Sequence, residues 1–156
     1  IKILALHTPG TTNLRHLVSY LKITNDLVRA TYSTKSFIKK FTTVCDNLDI
    51  AVINEYATPM QSATIKSLEI SISMISIEDS DEINELYDSV VIEENKSDDI
   101  YALVERNLIS QARGSEETLK YHQMLRALRK SAKIASRSVS IANLLVYAKV
   151  GGDFHN

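Results

Sequence analysis

The chain has little of what punctuates or cross-links a fold: one cysteine, two prolines, four glycines and no tryptophan in 156 residues. A single thiol, Cys45, excludes an intrachain disulfide and a zinc site built on cysteines, and it suits a reducing cytoplasm. So few prolines and glycines leave little room for tight turns, which favours long helices over a strand-rich fold. No apolar run reaches the ~18–20 residues that span a bilayer, and no signal peptide is visible. A formal charge of −1 gives no overall reason to expect nucleic acid or an anionic membrane as partner. There is no glycine-rich phosphate loop and no nucleophile elbow, so nothing in the sequence points to an enzyme.

What the sequence does contain is helical periodicity. The opening IKILAL is already apolar in pattern, as if the chain begins partway through a helix. Pro9 and Gly10 break it, and Thr12 or Asn13 can cap the next helix. Leu14, Leu17, Val18, Leu21, Val28, Ile38 and Phe41 predict one apolar face on a helix from about 13 to 44. After a turn near Cys45, Asp46 and Asn47, a second helix runs from roughly 47 to 77 with a bend at Pro59. Glu78 to Asp81 open a third, with acids where the helix dipole favours them. Its inward stripe reads Ile83, Tyr87, Val90, Glu94, Ser97, Tyr101, Val104, Leu108. Gly114 ends it, and Ser115 with Glu116 and Glu117 starts a fourth. There Tyr121, Leu125, Leu128, Ala132, Ala135, Val139, Ala142 and Val146 alternate steps of four and three, the seam of a helix packed lengthwise. The expected architecture is all-α, a bundle of long antiparallel helices.

Charge is sorted by helix. The third is acidic from Glu78 to Glu105, with Lys96 its one base, whereas the first and fourth are basic. Complementary neighbours account for this, and a basic docking face for a protein or anionic partner is the sharper reading; Arg15, Lys22 and Arg29 are its candidates on the first helix. LRHLVSYLKI (14–23) also echoes LRALRKSAKI (125–134), which points to a duplicated three-helix unit.

The C-terminal Gly-Gly-Asp-Phe resembles the signature loop of cyclic-dinucleotide cyclases. It lacks the glutamate and the flanking strands of that loop, and it follows a long helix. Gly151 fits instead as the left-handed residue closing that helix, with Lys149 in the last turn. A better match is the ending of PhoU proteins, regulators of phosphate uptake, carried here by Ile141, Ala142, Tyr147, Gly151, Asp153 and Phe154. Upstream, Pro9, Leu14, Arg15, Leu21, Lys22, Ile23, Asp26, Leu27 and Arg29 are similar to the PhoU segment that follows its proline-containing turn. Residues 93–108 resemble that family's acidic helix.

The resemblance implies two three-helix bundles side by side, with residues 1–45 part of the first and 46–156 the second. The family's first helix and most of its second have no counterpart in the sequence. It further implies a cytoplasmic, homo-oligomeric regulator that contacts the phosphate ABC transporter's ATPase subunit and a phosphate-sensing histidine kinase. Many PhoU-like proteins hold iron or zinc on paired carboxylates four residues apart. Here those positions fall on Val28 and Tyr32 and, anchoring on the C-terminal match, on Ala132 and Ser136, which are not ligands; the internal echo would shift that second register, and it too meets no carboxylate. Glu94 and Asp98 remain as weak metal candidates; no other cofactor and no catalytic residue is implied. Glu94 lies within the expected inward stripe, and a buried carboxylate needs a partner, for which Lys133 or Arg129 is the expectation. His7, His16, His122 and His155 stand in no metal-ligand spacing, and the Glu-x-x-His pairs of ferritin-like metal enzymes are missing. The alternative to a phosphate regulator is a helical-bundle adaptor of other function.

Overall fold

The computed structural model describes residues 10–112 and 114–151. The opening apolar segment, Pro9, His7, His155, Asp153 and Phe154 lie outside the described residues. Every described element is helical. Helix α1 is Thr11–Val44, followed by a 3-10 turn at Cys45–Asn47. Helix α2 begins with the turn Ile50–Val52, passes through a π-helical turn at Ile53–Ala57 and continues as Thr58–Ser73. After a further 3-10 turn at Met74–Ser76 come α3, Ser80–Gln111, and α4, Ser115–Lys149. At 1.5 Å per residue α4 is about 50 Å long, and no described helix is long and apolar enough to cross a membrane.

The ends follow local chemistry, with one exception. Asp79 caps α3, its carboxylate accepting from the Asp81 and Glu82 amides at 3.0 and 2.9 Å. At the start of α4, Thr118 returns both its amide and its hydroxyl to the Gly114 carbonyl. Gly151 closes α4 with φ +96°, the left-handed conformation its sequence position predicts. The exception is α1, which starts one residue before Thr12, at Thr11, with Gly10 at its N-cap and no side-chain cap. Pro59, where a bend was expected, lies in the first turn of Thr58–Ser73, directly after the π turn. Proline cannot donate to the carbonyl four residues back, and the wider turn absorbs the gap.

Helix α4 touches all three other helices, and its longest contact is with α1. Rising residue numbers on α1 meet falling numbers on α4: Arg15 bonds the Ala148 carbonyl, and Asp26 meets Arg137 and Ser140. On the other side α2 and α3 pack on each other and on α4. Burial therefore runs nearly all round α4. Met124, Ala127, Ser131, Ile134, Ser138, Ile141, Leu144 and Leu145 are buried beside the expected seam residues Leu125, Leu128, Ala135 and Ala142. One seam read from the sequence is thus one side of a central helix.

The core has two apolar halves. Ile23, Met74, Ile83, Val90, Ile141 and Leu145 belong to one, and Tyr56, Met60, Val104, Leu108, Met124 and Leu128 to the other. Between them, along α2, α3 and α4, lies a belt of buried polar residues: Thr64, Ser67, Glu93, Ser97, Ser131 and Ser138. These side chains are mostly small, so the helices approach closely at mid-length.

Most of the apolar face expected of α1 points outward: Leu14, Val18, Leu21, Val28 and Ile38 are exposed, Leu17 and Phe41 are half-buried, with Phe41 packed against one half of the core, and Ser19, Ile23, Asp26 and Ala30 face inward. The reason is that α1 carries apolar residues on more than one side, and its close contact with α4 is made by small residues around an ion pair. Periodicity fixes the stripes of a helix but does not say which of them is covered.

Candidate functional site

The belt is the most polar part of the interior. Thr64 on α2 and Ser97 on α3 lie 3.3 Å apart, oxygen to oxygen. The Ser131 hydroxyl of α4 reaches Gln61 Oε1 at 2.9 Å and Thr64 Oγ1 at 3.1 Å. Here hydroxyls bond one another and an amide oxygen, tying α2, α3 and α4 together.

At the edge of the belt α3 places two neighbouring glutamates in different settings. Glu93 is 5% exposed, and its Oε1 accepts from Lys66 of α2 and Lys96 of α3, each at 2.8 Å. Those bonds, Lys66 first and Lys96 second, hold its carboxyl below the usual 4.5. Glu94 is half-buried on the α4 side, where Ser136 donates to it at 3.1 Å. Burial, and then the charge of Asp98 one turn on, raise its pKa; Asp98 is raised by burial and by Asp99. The expected partner of Glu94, Lys133 or Arg129, is therefore replaced by the Ser136 hydroxyl, and the deeply buried acid is Glu93. The true inward stripe of α3 passes through Glu93 as well as Ser97, one position off the line drawn through Glu94. Sequence could have signalled this through Lys96, three residues after Glu93 on the same face.

The structure thus brings three of the metal-motif positions together, Glu94, Asp98 and Ser136. Ala132 is half-buried one turn before Ser136, and Val28 and Tyr32 stand on the solvent side of α1. Two carboxylates and a hydroxyl do not fit iron or zinc, which need three or more strong protein ligands. Among the described residues no group of three or more His, Cys, Asp or Glu side chains comes together.

Acid titration separates the two glutamates. A carboxyl with a lowered folded pKa contributes stability that is present above 4.5 and lost as pH falls through the folded value; a raised one weakens the fold above its folded value and ceases to do so below 4.5. Glu93→Gln should therefore flatten the fall of the urea midpoint between pH 6 and 3, and Glu94→Gln should steepen it. The Glu93 change should stay within about 1 kcal/mol, because the Lys66 and Lys96 side chains are 61% and 55% exposed. Parallel urea titrations at stepped pH read both slopes.

The basic residues sit along α1 and α4. Arg15 is committed within the chain: its Nε donates to Ala148 O at 3.1 Å, and its guanidinium lies 6.0 Å over the Tyr147 ring. Close by, Lys149 binds the Ile75 and Ile77 carbonyls, tying the end of α4 to the α2–α3 connection. Lys22 and Arg29 are exposed on α1. A feature not anticipated from the sequence is a cleft of about 440 Å³ where Lys39 and Lys40 of α1 face Gln123 and Arg126 of α4. Only the folded pairing of the helix ends reveals it. Cys45 is half-buried at the end of α1, with its sulfur 3.6 Å from the Thr42 carbonyl.

The contact of α1 with α4 ties the sequence echo to geometry. The offset that aligns Leu14 with Leu125 also carries Asp26 onto Arg137, and these two form the 2.9 Å ion pair between the helices. Equivalent positions three residues beyond the echoed segments thus meet each other along the contact. Compared with protein-family models, with curated proteins and with solved structures, the chain matches none of them.

Proposed function

We propose that this chain is a PhoU-like regulator of phosphate transport and phosphate-starvation signalling, working by contacts with other proteins and not by catalysis. The observation that carries the reading is the packing of the two echoed helices, head to tail, with Asp26 against Arg137. That is the relation expected of two duplicated antiparallel three-helix bundles meeting side by side. In this reading α2, α3 and α4 are the second bundle and α1 belongs to the first. The left-handed Gly151 at the end of α4 agrees with the family's ending. Partners would be the phosphate transporter's ATPase subunit and the phosphate-sensing kinase, met in the cytoplasm by a homo-oligomer that needs no resident metal.

The second reading is a helical adaptor of other function. It is favoured by Val28, Tyr32, Ala132 and Ser136, which stand where the family's carboxylates would be. A pull-down on the purified chain separates the two. Retention of the transporter's ATPase subunit from phosphate-replete cells is the result expected; its absence under both replete and starved conditions would favour the adaptor.

A further inference from the structure

Where α1 finishes and α4 begins, Lys39 and Lys40 of α1 face Arg126 of α4 across the cleft of about 440 Å³. Ser36, Thr43 and Gln123 complete its polar wall, and the one apolar side chain there is Val44. Among the described residues no carboxylate lines it, and none of the three cations forms an ion pair. Acids in the first turn of α4 are engaged elsewhere: Glu116 holds Lys120 at 2.8 Å, and Glu117 accepts from the Tyr121 hydroxyl at 3.0 Å. Outside the described residues the sequence has one acidic side chain, Asp153. It follows the far end of α4, roughly 35 Å along that helix from Arg126. Three positive charges are thus gathered with no counter-charge from this chain, an arrangement that raises the local concentration of anions.

The echo sharpens the contrast, because its offset carries Arg15 onto Arg126. Arg15 is satisfied at the opposite end of the same helix pair: its Nε donates to the Ala148 carbonyl and its guanidinium lies over the Tyr147 ring. Ala148 stands in the last turn of α4, where carbonyls have no donor within the helix. The equivalent of Ala148 on α1 is Phe37, seven residues before the end of that helix, where the carbonyl is taken up by the helix itself. Arg126 therefore meets no open carbonyl, and two lysines stand near it instead. The same offset carries Ser36 onto Tyr147, which belongs to neither apolar half of the core. Helices set around α1 as α2 and α3 are set around α4 would thus leave the Ser36 side of the cleft open.

We infer that this cleft binds an oligophosphate, either free or as the tail of a nucleotide. An arginine offers a planar fork and lysines offer compact charges, and both suit phosphate oxygens. The Ser36 hydroxyl and the Gln123 amide add neutral donors. The volume lies in the range of small-ligand sites and exceeds what one phosphate group fills. No aromatic ring lines the cleft, so nothing there stacks a base. Recognition is of the phosphates alone. The inference goes beyond the regulator reading and does not depend on it.

Isothermal titration calorimetry on the full chain tests it, at low ionic strength and without divalent cations. The probes are tripolyphosphate, ATP, orthophosphate and adenosine. Tripolyphosphate and ATP should each saturate one site with Kd of about 100 μM or tighter, and within about threefold of each other. Orthophosphate should bind at least about tenfold more weakly, and adenosine should give no binding heat. The double variant Lys40→Gln/Arg126→Gln should weaken tripolyphosphate at least about tenfold. Its thermal melt should not move, since Arg126 is exposed, Lys40 is half-buried and neither is ion-paired among the described residues. Arg129→Gln, three residues on along α4 and outside the cleft, should change the Kd by less than about threefold. Absence of saturable binding, or orthophosphate as tight as tripolyphosphate, would overturn the inference. So would an equal loss in Arg129→Gln, which marks diffuse surface charge, or ATP more than about tenfold tighter than tripolyphosphate, which marks a base being read.

Discussion

Leu125→Ala should destabilise the chain by roughly 2–5 kcal/mol, whereas Leu14→Ala, the same change at the echoed position, should stay within about 0.5 kcal/mol. Both residues are leucines on helix seams and look alike in the sequence. Leu125 is 6% exposed and packs with Tyr56, Met60, Val104 and Leu108 from α2 and α3, so its loss leaves a cavity walled by two other helices. Leu14 is 41% exposed, and its truncation gives up little covered surface. Urea denaturation of the two variants beside the parent reads the difference directly. Equal losses would mean that α1 is covered on its Leu14 face, contrary to the burial described above.

The second large effect is at Asp26. This carboxylate is 6% exposed, accepts from Arg137 Nη1 at 2.9 Å and from Ser140 Oγ at 2.7 Å, and joins the two longest packed helices. Asp26→Ala removes the acceptor and leaves Arg137 beside a small void without its counter-charge. Breaking a fully buried pair costs about 3–5 kcal/mol. The Arg137 side chain is 36% exposed and can turn toward water, so about 2 kcal/mol is the expected loss. Asp26→Asn keeps an oxygen for the serine hydroxyl and should lose about half as much. Equilibrium urea unfolding checks both values, and the order of the two variants matters more than either number.

The comparison of these positions shows what the sequence disclosed. Four long helices, their breaks at Cys45–Asn47, near Glu78 and at Gly114, and the closing role of Gly151 follow from capping chemistry, dipole charge and scarce punctuation, which act locally and leave marks in composition. Which face of α1 is buried did not follow. Of its inward residues Ser19, Ile23, Asp26 and Ala30, only Ile23 is a large apolar side chain, and the burial of Asp26 depends on Arg137 and Ser140, which meet it from a helix more than a hundred residues on. The paired carboxylates of α3 were legible as a pair. Their neighbours were not, because choosing Lys66 for Glu93 and Ser136 for Glu94 requires the rotation of α3 between two other helices. For the same reason the basic cleft at the far end of α1 had no linear signature: Lys39 and Lys40 acquire Arg126 as a neighbour only through the reversed run of α4.

The central physical claim is that α1 and α4 lock together in one register about the Asp26–Arg137 ion pair, with the opposite face of α1 exposed among the described residues. A double-mutant cycle at that pair tests it. Asp26→Ala, Arg137→Ala and the double variant are unfolded in urea under one condition. A coupling energy of about 1–2 kcal/mol is predicted, since removing either partner already forfeits the interaction. Losses that add to within about 0.3 kcal/mol would contradict the register, and with it the head-to-tail relation of the two helices.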